Sequence, residues 1–170
     1  MKIIFYSFIS TMISLSTLST NAQNIFLGTW EHQNGNEVFR IVLWEDPLDN
    51  NSIKGHYKMV QIENGLETMI YSSNKNEHIG INEAKLPFVI YGSANNQTLI
   101  GLFYDNTIDS NQYHFLKKGS LHLEILTNSG GLNPTITAHW KVERKSYQGL
   151  IINEAPEFSV PTDIILTKIN

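Results

Sequence analysis

The sequence predicts an all-β protein: an antiparallel meander of about 8–10 short strands closed into a barrel, with a β-sandwich as the alternative. Three observations carry that expectation. From Gly28 onward apolar residues recur with a period of two, as in a half-buried strand, rather than 3.6. Asn-Gly and related dipeptides punctuate the chain at hairpin spacing. Beyond the first segment, no stretch carries the apolar stripe of a helix.

That first segment, Met1 to Ala22, reads as a secretory signal peptide. Lys2 supplies the positive end, an apolar run from Ile3 to Leu18 follows, and Thr20 and Ala22 occupy the small-residue positions before a cleavage site. Ser and Thr dilute the run too much for a spanning helix. Export would leave one domain, residues 23–170, 148 residues long, in a secreted or periplasmic location. No later apolar run predicts an integral membrane segment, and the absence of Cys excludes both disulfides and a lipid anchor on cysteine.

The strands follow in order. Leu27-Gly28-Thr29-Trp30 opens the first, and Glu37–Trp44 places Phe39, Ile41 and Leu43 opposite Val38, Arg40, Val42 and Trp44. Between them, Asn34-Gly35 suits a type I′ turn and predicts Trp30 across from Phe39 and His32 across from Glu37. Ile53–Ile62 and Glu67–Ser72 flank Asn64-Gly65, which predicts Met59 opposite Ile70. Phe88–Gly92 and Thr98–Tyr104 flank a turn at Asn95-Asn96, and Gln112–Leu116 and Ser120–Leu126 flank one at Lys118-Gly119. Longer connections are expected at Asp46–Ser52, Asn74–Leu86, Ser129–Pro134 and Ser146–Pro161. The clearest alternation is Thr135–Glu143, with Ile136, Ala138, Trp140 and Val142 on one face. The last strand, Asp163–Ile169, is expected to pair with the first and remove the open edges.

Gly28-Thr29-Trp30 is similar to the Gly-x-Trp opening of the lipocalins and related calycin barrels, where the Trp packs across the closed end. Together with Asn34-Gly35-Asn36, Ile53-Lys54-Gly55-His56-Tyr57-Lys58 and Phe158-Ser159-Val160-Pro161-Thr162-Asp163, it resembles a family of small secreted proteins of unknown function from Bacteroidetes. The resemblance implies a secreted lipocalin-like barrel and carries no activity. Where calycins often place an Arg over the Trp, this chain offers Lys168.

Chemistry is sparse. Twelve Lys and Arg against 16 Asp and Glu give a net charge of −4, and −5 without Lys2, which argues against nucleic acid as a partner. Six histidines, His32, His56, His78, His114, His122 and His139, show no ligand spacing, so neither a metal nor a cofactor is expected. His32 beside Glu37 is the one His–carboxylate pair that the expected register builds. No hydrolase signature appears, and no catalytic residue is nominated. What stands out is aromatic. A small apolar ligand or glycan in the barrel mouth would meet Trp30, Phe39, Ile41, Tyr57 and Trp140. The alternative is a module that holds a protein partner on its outer face through Val38, Val42 and Trp44. An enzyme and an outer-membrane barrel rank below both.

Overall fold

The computed structural model describes residues 24–75, 86–108, 117–128, 135–145 and 157–169. The expected signal peptide, the strand Gln112–Leu116 with His114, and His78 lie outside the described residues. Nine strands are described: β1 (Gly28–Asn34), β2 (Glu37–Asp46), β3 (Asp49–Glu63), β4 (Leu66–Ser72), β5 (Ile90–Asn95), β6 (Thr98–Asp105), β7 (Lys117–Asn128), β8 (Ile136–Arg144) and β9 (Asp163–Lys168). Eight of them close an antiparallel barrel in the order β1-β2-β3-β5-β6-β7-β8-β9, and β4 is an extra strand on the upper half of β3. Closure comes where the sequence places it: Trp30 pairs with Lys168 and Glu31 with Thr167. The sandwich alternative is not formed.

Register or turn position differs from expectation at five places. The first hairpin turns at Gly35-Asn36, so Trp30 faces Ile41 and His32 faces Phe39. Gly35 adopts φ 63° while Asn36 stays out of the left-handed region, the pattern of a type II′ turn, which wants Gly at its first central position. Asn64-Gly65 does turn β3 into β4, with φ 52° and 78°, but a bulge at Ile70 sets Met59 opposite Tyr71. Asn96-Gln97 forms the turn between β5 and β6, with Asn96 at φ 51° and Asn95 paired to Thr98. Lys118-Gly119 is no turn at all: both lie within β7, opposite Tyr104 and Phe103. The long connection expected at Asp46–Ser52 is likewise a tight turn, since Asp46 pairs with Asp49.

Inward-facing residues alternate between very large and very small. Trp30, Phe39, Tyr57, Phe103 and Trp140 are fully buried, while Gly55, Gly92, Gly101 and Gly119 occupy the same inner rows. Large and small side chains matched in this way fill a narrow barrel. The glycines also allow strand backbones to approach. Gly92 and Gly101 are direct partners, and a Cβ on Gly101 would lie 2.2 Å from the Tyr91 carbonyl oxygen. Backbone cannot swing aside as a side chain can. Gly101→Ala is therefore expected to destabilise the fold by about 1–3 kcal/mol, measured by urea denaturation.

One end of the barrel is closed by the N-terminal coil. Phe26 is fully buried there, its carbonyl accepts the Trp30 indole N–H at 2.8 Å, and Lys168 Nζ lies 5.8 Å over the Trp30 ring while donating to the Ile25 carbonyl at 2.8 Å. Lys168 thus takes the place over the indole that the sequence offered it, and its burial lowers its pKa. The opposite end, the mouth, carries the Gly35-Asn36 and Asn64-Gly65 turns.

Candidate functional site

The five residues expected to line a ligand cavity are buried and belong to one hydrophobic cluster. Trp30, Ile41 and Trp140 are 0% exposed, and Phe39 and Tyr57 are 1%. Phe39 meets Tyr57 at 6.0 Å and Trp140 at 5.9 Å between ring centroids, and Phe103 joins Tyr57 at 5.2 Å and Trp140 edge-on at 5.6 Å. Tilted and edge-on packing at these separations adds to the burial energy of each ring.

Towards the mouth this aromatic column ends on a buried carboxylate. Asp105, fully buried, accepts hydrogen bonds from Tyr57 Oη at 2.9 Å, from Thr107 N and Oγ1 at 3.1 and 2.9 Å, and from Ser159 N at 2.6 Å. Ser159 Oγ lies within 2.9 Å of both carboxylate oxygens. Beside it, Asn106 donates to the Ser73 carbonyl at 2.8 Å, and Ser73 Oγ accepts the Tyr57 N–H. One carboxylate therefore ties β3, the end of β6 and the segment leading into β9. Burial pushes the Tyr57 hydroxyl well above its usual pKa, and the Asp105 charge adds to the shift.

The outer face carries a groove of about 460 Å³ across β1, β2 and β3. Thr29, Arg40, Val42, Trp44, His56, Lys58, Asn74 and Ile169 line it, and Tyr57 contributes from below. Trp44 and His56 come from diagonal positions on neighbouring strands, with rings 5.5 Å apart and tilted by 37°. His56 Nδ1 is set by Ser73 Oγ at 3.0 Å. Arg40 is fixed from both sides: Glu67 holds it bidentately at 2.9 and 3.1 Å, and Glu31 accepts from its Nε. Partial burial works against the Arg40 charge, but the hydrogen bonds to Glu67 and then Glu31 outweigh it and raise its pKa. The same bond to Arg40 holds the Glu67 carboxyl below its usual range. With Lys58 3.7 Å from Glu67, two cations face two carboxylates, and the groove is close to neutral.

The profile of a family of unknown function (DUF6705) matches residues 1–169. The chain belongs to this family. No curated protein and no solved structure matches it.

Within this DUF6705 barrel, several functional expectations fall differently from their sequence reading. His32 does not pair with Glu37; it faces Phe39, and its Nδ1 lies 2.9 Å from the Ile165 carbonyl. Among the described residues His139 pairs with Asp163, at 2.6 Å on the outer wall. No three His, Asp or Glu side chains converge among the described residues. None of these residues forms a helix long and apolar enough to cross a membrane. Of the outer-face residues expected to hold a partner, Val38 is 2% exposed and so unavailable, while Val42 is 40% exposed and Trp44 half-buried in the groove. Sequence reading missed His56 and Lys58 as groove residues, because they join Trp44 and Arg40 only through the pairing of β2 with β3. Although alternation puts Arg40 on the face of Trp44, its carboxylate partners Glu31 and Glu67 come from β1 and β4. Asp105 had a local signal, since Asp105-Asn106-Thr107 forms an Asx-type turn, but nothing local announces Ser159, 54 residues away.

Proposed function

We propose that this protein is an exported, non-catalytic binding domain that takes a small neutral glycan in the groove over β1, β2 and β3. The observation that carries the reading is the Trp44–His56 ring pair beside an Arg40 already fixed by two carboxylates. A sugar ring presents an apolar C–H face and a hydroxyl edge. Trp44 and Val42 suit the face, and the immobilised polar groups of Arg40, Glu67 and Lys58 suit the edge. Balanced charge favours a polyol over a phosphate or sulfate, because a free anion would have to compete with Glu31 and Glu67 for Arg40. Held side chains also lose little conformational entropy on binding. The leader-like Met1–Ala22 segment supports export.

Calorimetric titration with neutral oligosaccharides and their sulfated counterparts tests this reading. Neutral sugars are expected to bind better, and Trp44→Ala should weaken binding by about tenfold without changing the unfolding midpoint. Preference for the sulfated series, or unchanged affinity in Trp44→Ala, would refute it.

A further inference from the structure

A second site lies at the mouth, where the barrel wall is not fully zipped. The ladder between β1 and β9 stops at Glu31 and Thr167. Beyond it no further β1–β9 pairing is formed among the described residues, and the His32 Nδ1 contact with the Ile165 carbonyl, at 2.9 Å, bridges the two strands. The opening is a cleft of about 150 Å³ with a floor of Phe39, Met59, Pro161 and Ile164 and a rim of His32, Asn34 and Glu37. Phe39, otherwise interior, lines this cleft. An apolar cavity of about this volume is known to admit benzene, which sizes the occupant.

The polar side of the cleft is one-sided. Glu37 is exposed and has no ion-pair or hydrogen-bond partner among the described residues. Cross-strand pairing sets Phe39, Met59 and Tyr71 in one inner row, and the buried Tyr71 hydroxyl has no hydrogen-bond partner among the described residues. Burial first, then the charges of Asp105 and Glu37, keep that hydroxyl protonated. A second anion would be repelled there, whereas a cation would find an unopposed carboxylate beside an aromatic floor.

From this geometry we infer that the β1–β9 cleft binds a small organic ammonium ion with a benzene-sized apolar body, its charge at Glu37 and its body on Phe39 and Met59. The site is independent of the outer groove and shares none of the groove's side chains.

Benzylammonium, benzyl alcohol and benzoate share one body and differ in charge, so titrating each into the folded protein and following the Met59 methyl and amide NMR signals tests the inference. The expected result is shifts centred on His32, Phe39, Met59 and Ile164, with the order benzylammonium, benzyl alcohol, benzoate. Glu37→Gln should weaken benzylammonium binding by about tenfold and leave benzyl alcohol unchanged. Trp44→Ala should alter none of these titrations, which separates failure here from failure of the glycan reading. Absence of shifts into the millimolar range, equal binding of benzoate, or an unaffected Glu37→Gln variant would overturn the assignment.

Discussion

Asp105→Ala is expected to lower the unfolding free energy by about 3–5 kcal/mol, among the largest single effects in this chain. The substitution removes the acceptor of Tyr57 Oη, Thr107 N and Ser159 N together, and Asp105 is fully buried. A hydrogen bond to a charged group is worth about 1.5–3 kcal/mol, and each donor left unpaired in the interior adds a desolvation cost of similar size. These terms do not sum, because the donors share one site and Thr107 and Ser159 can turn towards water. Asp105→Asn keeps one carbonyl oxygen and should lose roughly half as much, and Tyr57→Phe about 1 kcal/mol. Urea unfolding of the three variants checks the order. A loss below about 1 kcal/mol in Asp105→Ala would show that the segment around Ser159 is held by packing alone.

Trp140→Ala should cost about 3–5 kcal/mol by a different route. The indole is fully buried between Phe39 and Phe103, and its N–H donates to the Pro161 carbonyl at 2.9 Å. Truncation opens a cavity that the barrel cannot close, because hydrogen-bonded strands on every side fix its wall. Trp140→Phe retains most of the buried area and should lose less, mainly the Pro161 bond and a smaller void. Both are measured by denaturant midpoint at constant slope. If the alanine variant unfolded with a clearly larger slope, the change would lie in cooperativity or the denatured state rather than in a cavity.

Both effects depend on placements that the sequence shows unequally. Trp140 lies in Thr135–Glu143, where strict alternation leaves one reading of its face, and burial follows. The first hairpin is instructive because its turn moved one position along the chain and its register by two residues. Since strand side chains alternate with period two, Trp30, Phe39 and Ile41 stay inward under that shift, and only their partners change. The bulge at Ile70 had the opposite effect. It set Tyr71 rather than Ile70 opposite Met59, so Tyr71 meets the Tyr57 ring edge-on at 6.3 Å. Nothing in the local composition of Leu66–Ser72 distinguishes these two outcomes. Lys118-Gly119 misled for a related reason: Gly in this barrel serves close approach within a strand as well as turning. A Cβ on Gly119 would lie 2.7 Å from Val142 and 2.9 Å from Phe158.

The resemblance to calycin barrels offered Lys168 for the place over Trp30, whereas the class, the closure of last strand on first and the inward residues were legible in the residues themselves. These rest on alternation, turn chemistry and the need to satisfy strand edges, which neighbouring residues encode locally. Only folding packs Phe39 against Tyr57 and Trp140, joins Asp105 to Ser159, sets His56 against Trp44 and Glu67 against Arg40, and opens the wall between β1 and β9 beside Glu37. Each of those is a meeting of residues from different strands. It depends on register, bulges and barrel curvature, and a change of one residue in any of them exchanges the partners while leaving the pattern of each strand intact.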